Sequence, residues 1–465
     1  MAIRQLGICL LLIFIAVRPA LGQAPGLDCP TTSAGAGPST PATTEGGPAR
    51  PAVADVGLAP NAETGTPSDA SKEPDTNFLS RAFGLEDSPA QIYGWIQNSY
   101  TATPGFNPRN RSTTTVFPNR LANEWQGNQY YLIVEKALKG EDEVNFGCRL
   151  DTLFGNDWLF THDFGLFNGA FKYRGFAGVD FPQIYGEVHL PVLFKGGIDI
   201  RGGRFYSPAG FESVQAVKRP LLSVPYLLNY TPFTFIGALA TFHLSDRLTF
   251  MSGAVNGADR WIDSNYHYSY LGGLSWISES GKTTFNSTLL VGPNQLPFFP
   301  STNLNQVDTL PVGVTTSPSL QNRRNPYYNR STLVYLSNVL VHNWSDRLTE
   351  AGEVAYVTEG NVLGLNAGNV PIQADYYGFA HHFLYRFHDQ LTGVFRAEIF
   401  RDNNGLATGR ADTYLEFTLG AILKPKPWLW VRPEIRYDAA QFTHPYDDGT
   451  RHGQLTLAFD VIVRF

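Results

Sequence analysis

The chain has 465 residues; aromatic side chains make up 13% of it, charged ones only 16%, and the formal net charge is −6. That mild acidity argues against a nucleic-acid partner, which would want a basic patch, and three cysteines are too few for a disulfide framework. Many aromatics, little charge and no long apolar helix leave two main options, a secreted all-β protein or a membrane barrel.

The first residues point to export. Met1 to Arg4 give a short basic start, Leu6 to Val17 an apolar core, and Ala20-Leu21-Gly22 small residues for cleavage. This is the layout of a secretory signal peptide, residues 1–22, and its apolar core falls short of the ~20 residues a membrane helix needs. Removing Arg4 and Arg18 with it takes the charge from −6 to −8. Cys9 leaves with the signal, so one bridge between Cys29 and Cys148 is the most that could form. Cys29 follows Asp28, where a lipidation site would want a small residue.

Residues 23–77 are built from Pro, Ala, Gly, Thr and Ser and bury too little apolar surface to offset ordering. They read as a disordered periplasmic linker. Phe78 to Leu85 could form a short amphipathic helix at a barrel rim or simply end the linker, and the barrel is expected over 78–465.

From Ala90 onward the pattern has a period of two. Sixteen strands are expected, near 90–101, 128–139, 143–154, 181–191, 195–206, 231–243, 247–257, 268–279, 282–291, 330–343, 347–358, 374–387, 391–401, 411–424, 428–438 and 453–465. Prolines 225 and 232 interrupt the one long uncharged stretch, Pro220 to Ser245, so it cannot span as a helix. Connections after even-numbered strands are short, such as Ser280-Gly281 and His388 to Gln390. Those after odd-numbered strands are mostly long, including 102–127, 155–180, 207–230 and 292–329. Short periplasmic turns alternating with longer outer loops are the layout of transmembrane barrels. One short turn repeats: His243-Leu244-Ser245-Asp246-Arg247-Leu248-Thr249 returns as His342 to Thr349. Turn chemistry explains these residues better than a metal, because each His lies in a different hairpin.

The two faces of each strand differ. In the last, Leu455, Leu457, Phe459, Val461, Val463 and Phe465 share one face, opposite Gln454, Thr456, Ala458, Asp460, Ile462 and Arg464. Leu429, Val431, Ile435 and Tyr437 likewise oppose Arg432, Glu434, Arg436 and Asp438, and Leu415, Phe417 and Leu419 oppose Glu416 and Lys424. Glu135, Arg149 and Asp151, then Glu187, Asp199 and Arg201, then Arg396 and Glu398 fall on the polar face of their strands. Strand 347–358 fits poorly, with Glu350 and Glu353 on opposite faces; a bulge or a wrong boundary is expected there. An Arg facing lipid at mid-bilayer costs ~2–4 kcal/mol, so these charges are expected to line a hydrated interior. The fold expected is an all-β, closed antiparallel transmembrane β-barrel of about 16 strands, wide enough for an aqueous channel. A soluble sandwich or propeller explains the alternation equally well, and the loop rhythm and the terminal Phe465 less easily. Phe459, Val461, Val463 and Phe465 resemble the C-terminal assembly signal of outer-membrane proteins, which implies the barrel-assembly machinery as a partner.

Several stretches carry a family resemblance. Pro182-Gln183-Ile184-Tyr185, Gly203 to Glu212 (GRFYSPAGFE), Tyr230 to Gly237 (YTPFTFIG) and Val255-Asn256-Gly257 resemble the putative β-barrel porin-2, OmpL-like family. Asn128 to Glu135 and Phe146 to Asp151 are similar to its early strands, and Gly203-Arg204-Phe205 stands where the family has Gly-Lys-Phe. The resemblance implies an outer-membrane barrel of a Gram-negative-type cell, in contact with outer-membrane lipid. It also implies porin activity, passive diffusion of small hydrophilic solutes, with no defined substrate. By analogy with general porins, the loop Ser207 to Tyr230 is expected to fold inward, with Glu212, Lys218 and Arg219 as constriction charges; a place on the outer rim is the equal alternative.

The lumen charges nearly balance, which predicts weak ion selectivity. Tyr376, Phe387 and Tyr437, near strand ends, are expected in interfacial girdles, with ordinary rim packing as the alternative. No catalytic, metal or cofactor residue is expected: the chain has no G-x-S-x-G elbow and no HExxH helix, and His381 and His382 point to opposite faces. A structural or adhesive barrel, motivated by the linker and loop 292–329, is the second hypothesis, and an outer-membrane hydrolase the third. No strand face declares a subunit interface, so a homotrimer stays open.

Overall fold

The computed structural model describes residues 78–85, 88–109, 113, 118–119, 121–139, 142–163, 166, 177–263, 267–293, 331–362, 365–366, 368 and 370–465. The expected signal peptide and linker, Cys9 and Cys29, and nearly all of loop 292–329 lie outside them.

Seventeen strands form one sheet. They are β1 (Ala90–Ala102), β2 (Glu124–Lys136), β3 (Asn145–Gly155), β4 (Gly178–Asp180), β5 (Ile184–Leu190), β6 (Ile198–Tyr206), β7 (Thr234–His243), β8 (Leu248–Val255) and β9 (Ser269–Ile277). β10 (Thr283–Pro293), β11 (Thr332–Asn343), β12 (Leu348–Val362), β13 (Ile372–His388) and β14 (Leu391–Asp402) follow, then β15 (Asp412–Lys426), β16 (Leu429–Ala440) and β17 (Gly453–Arg464). Each pairs antiparallel with its neighbours, and β1 pairs with both β2 and β17. The sheet therefore closes. β4 belongs to the loop between β3 and β5 and pairs only with the end of β3, so the wall is a closed barrel of sixteen strands. Closure removes every sheet edge, which a β structure in lipid must do because no water is there to satisfy backbone groups.

All sixteen expected strands are present, with two local corrections. The segment expected at 128–139 runs from Glu124 to Lys136, because its register shifts where Asn98 faces Gly127 and Gln97 faces Gln129. Asn128 is the extra residue of a β-bulge there, so Asn128 and Gln129 are both buried and the alternation that marks a strand breaks. The segment expected at 181–191 becomes a strand only at Ile184: Phe181-Pro182-Gln183 separate β5 from the short β4 that precedes them. Arg204 closes that interruption, donating to the Phe181 carbonyl and to Asp180 at 2.8 Å and pairing with Asp163 at 2.7 Å. The preceding Gly203 has φ +133° and lies so near the Ile184 carbonyl that a Cβ would sit 2.3 Å from it, which is why Gly precedes this Arg.

The short end of the barrel is built as the repeat implied. Ser245 Oγ accepts from the Leu248 amide and Ser345 Oγ from the Leu348 amide, both at 3.1 Å. A short helix α1 (Phe78–Ala82) precedes the wall. Its Ser80 hydroxyl bonds both the amide and the carbonyl of Ile92, backbone groups of β1 that lie beyond the end of β17. β17 itself ends with Phe465 exchanging both backbone hydrogen bonds with Gly94.

The outward face carries Leu415, Phe417, Leu419, Ile435, Tyr437, Ile399 and Phe379, all exposed and apolar. Glu350 also points out, near the short turns, where it meets His381 at 2.7 Å and the Trp344 indole N–H at 2.6 Å. Glu353, three residues on, points inward and is buried. Strand β12 is thus regular through both glutamates, without the expected bulge; polar partners at the membrane edge allow one carboxylate outside.

Candidate functional site

The inward face of β14 to β17 is a lattice of ion pairs. Arg396 meets Glu416 at 3.0 Å, Arg432 meets Asp460 at 2.5 Å, and Arg436 meets Asp438 at 2.7 Å. Further round the wall, on β2 to β6, Arg149 bridges Glu135 and Asp151 at 2.9 and 2.7 Å, and Arg201 meets Glu187 at 2.9 Å. Strand periodicity puts every one of these groups on the inner side.

The connection 207–233 between β6 and β7 enters the barrel and is held chiefly through its main chain. Wall carboxylates accept its amides: Glu353 from Phe211 at 3.0 Å, Glu434 from Ser223 at 3.1 Å, and Glu398 from Tyr226 at 2.5 Å and Leu227 at 2.8 Å. Wall guanidinium groups donate to its carbonyls: Arg396 to Ser223 at 2.8 Å, Arg432 to Ala216 at 2.9 Å and Arg219 at 2.5 Å, and Arg436 to Val224 at 2.7 Å. A buried backbone group needs a partner, and here ionised side chains serve in place of a neighbouring strand. Leu221 and Leu227 fill hollows over Gly420 and Gly378; a Cβ on Gly420 would lie 2.5 Å from Leu221 Cδ2. Phe211, Ala216 and Leu221 join Trp95, Tyr131, Ile133 and Trp430 in one apolar cluster inside the barrel.

Loop residues also pair by side chain. Glu212 meets His382 at 2.8 Å and Arg396 at 3.0 Å, and all three are buried. Arg219 meets Asp157, a residue of the β3–β5 connection, at 3.3 Å. Lys218 is half-buried beside it. His382 therefore faces in while its neighbour His381 faces Glu350 outside, as strand geometry requires. Tyr376, expected in a girdle, is instead inside: its hydroxyl donates to the Tyr230 carbonyl at 2.6 Å and its ring lies tilted against Phe400. Its position in β13 shares a face with His382 rather than with the outward Tyr377 and Phe379. Phe387 and Tyr437 are exposed on the outer side.

The lattice is covered unevenly. Arg396, Glu398, Glu416, Arg432, Glu434, Arg436, Asp438 and Asp460 are buried, several of them directly beneath the loop, rather than lying on an open inner surface. Asp151 is buried too, held by Tyr131 and Gln183. Glu135, Glu187, Asp199 and Arg201 keep partial exposure, as do Lys424 and Arg464, which flank the Trp430 ring at 4.1 and 5.2 Å. Sequence reasoning missed Glu353, Asp157 and Tyr226, whose hydroxyl bonds Asp438 at 3.0 Å. Glu353 was visible only as an anomaly of alternation; the other two lie in connections, where no period operates.

At the long-loop end, Asp259 accepts the Phe233 and Thr234 amides at 2.9 Å each. Burial first, and then the nearby Asp163, push its carboxyl up to about 7 despite those donors.

A closed wall with an apolar belt, an ion-paired interior and an inserted loop defines a β-barrel channel of the outer membrane. The match of a family model over residues 89–465 gives the family: the chain belongs to the putative beta-barrel porin-2, OmpL-like family. No curated protein matches it. Among solved structures, the chain is similar to the high-pH structure of Pseudomonas putida OprB, with a TM-score of 0.52 at 10% identity, covering 84% of this chain and 97% of that one. It also resembles the outer membrane channel DcaP of Acinetobacter baumannii, with a TM-score of 0.49 at 10% identity over 81% and 97% of the two chains. The anion-selective porin from Comamonas acidovorans gives 0.48 at 8% identity over 81% and 99%. The likeness to OprB shows a shared fold.

Proposed function

We propose that this protein is an outer-membrane porin that passes small hydrophilic solutes by passive diffusion, and that it is exported by a signal peptide, residues 1–22, and carries a periplasmic linker, residues 23–77. One observation carries the reading most: ionised side chains on the spanning strands turn to the lumen while the outer belt is aliphatic and aromatic, an arrangement that is costly unless the interior is polar. Solutes would pass beside loop 207–230, which would narrow the lumen; of the three expected constriction charges only Lys218 keeps exposure, Glu212 and Arg219 being buried in ion pairs that hold the loop. Glu135, Glu187, Asp199, Arg201, Lys424 and Arg464 would face the path, and the covered charges would act as the scaffold that holds the loop. The barrel-assembly machinery would read Phe459, Val461, Val463 and Phe465. Liposomes containing the refolded chain, swollen in sugars of graded size, test this: small sugars should enter and large ones should not.

The loop's close packing over β12 to β17 favours a second reading, a structural or adhesive barrel without an open pore. Liposomes that exclude even the smallest sugar would select it.

A further inference from the structure

One charged cluster on the inner wall is not covered by loop 207–230. Near the short turns, β5, β6 and β7 bring His189, Asp199 and His243 together. His189 Nδ1 lies 2.6 Å from one Asp199 oxygen and His243 Nε2 lies 2.7 Å from the other. His189 is opposite Asp199 in the β5–β6 register, and Asp199 is opposite Thr241 in the next. His189 is seated by Gly197, where a Cβ would fall 2.6 Å from the ring. Asp199 keeps 27% of its surface exposed and His243 14%, whereas Arg396 and Arg432 keep none.

The surrounding charges are paired among themselves. Glu187 and Arg201 meet at 2.9 Å one turn of the pleat deeper. Arg149 on β3 holds Glu135 and Asp151. At the rim, Lys195 and Asp246 lie 3.8 Å apart, and Thr241 and Thr249 on β7 and β8 are uncharged. Where other inner carboxylates meet an arginine or the loop amides, Asp199 has an imidazole at each oxygen. With both rings neutral the cluster carries −1; with both protonated it carries +1. Imidazole is the side chain that changes charge between pH 8 and pH 5.

We infer that Asp199, held by His189 and His243, is the specificity-determining residue at the periplasmic mouth, drawing small cations in at neutral pH and ceasing to do so when its partners gain protons. The inference rests on the channel reading. A charge in a low-dielectric mouth focuses the local potential and so biases which ions enter.

The test is the reversal potential of the full mature chain in a planar bilayer under a KCl gradient. The wild type should prefer potassium at pH 7.5 and shift toward chloride at pH 5. Asp199→Asn should lower the potassium-to-chloride permeability ratio at pH 7.5 about twofold or more. A His189→Gln/His243→Gln double variant should keep at pH 5 the potassium preference that the wild type shows at pH 7.5. Channel steps with no pH shift in the wild type, or an Asp199→Asn channel with an unchanged reversal potential, overturn this assignment alone. A correctly folded wild type without any steps overturns the channel reading and this assignment together.

Discussion

Replacing Arg432 with methionine removes four hydrogen bonds at nearly constant volume. The guanidinium holds Asp460 through two bonds, at 3.0 and 2.5 Å, and the loop carbonyls of Ala216 and Arg219 through two more. Afterwards Asp460 keeps the Gln97 amide at 2.5 Å but no salt bridge, although the Arg219 guanidinium still acts on it. Orphaning one member of a buried ion pair costs about 3–5 kcal/mol. Each loop carbonyl adds up to about 1–3 kcal/mol if it stays dry, and less if lumen water replaces the donor. The loop should loosen first, around the bond between Lys218 and Arg219. Urea unfolding of the refolded barrel in micelles, followed by tryptophan fluorescence, should show a lower midpoint, and trypsin should cut after Lys218 faster than in the wild type. The Arg432→Met/Asp460→Leu double variant removes the orphan and should recover a large part of the loss. An unchanged midpoint with a trypsin-resistant loop would refute the idea that wall charges hold the loop, as would a double variant no more stable than the single one.

Other outcomes follow from the same geometry. Gly420→Val places methyl groups where Leu221 now sits; overpacking of this kind costs about 1–3 kcal/mol, and the loop should become a better trypsin substrate while the barrel stays resistant to SDS at room temperature. Phe417→Arg turns a charge toward lipid and should destabilise the barrel by about 2–4 kcal/mol in liposomes, whereas Thr241→Arg on the inner face should cost under about 1 kcal/mol. The Asp259 carboxyl stands at about 7 in the folded protein against about 3.9 for an unstructured Asp. Its contribution to docking the outer loop is therefore complete below pH 4 and is lost as pH rises through 7. Hydrogen exchange at Phe233 and Thr234 should be slower at pH 5 than at pH 8, after correction for intrinsic rates, and Asp259→Asn should remove that difference.

The barrel was legible because its strands obey one rule over a long stretch. Where a strand meets lipid on one side and polar groups on the other, as β15 to β17 do, the sequence alternates without interruption, and Phe417, Glu416, Ile435 and Arg436 fall on the faces expected of them. Alternation ceases to mark the strand where the backbone departs from period two. Asn128 is the extra residue of a bulge, so β2 looked shorter at its start. Tyr376 was placed by residue type, as an aromatic near a strand end, although its parity with His382 already put it inside. Which charges stay in contact with solvent was not readable from strands at all, because that depends on how loop 207–230 lies across them. The loop's amides and carbonyls make most of those contacts, and backbone groups leave no trace in residue identity. Glu353 was the exception: its place on the opposite face from Glu350 looked like a fault in the strand and was a loop anchor.

The most direct test of the central claim, a water-filled path beside the inserted loop, is single-channel recording of the purified, refolded wild-type chain in a planar bilayer. Discrete conductance steps whose size scales with the bulk conductivity of the salt are the expected result. Barrels that insert in folded form and yet never raise the membrane current would contradict it.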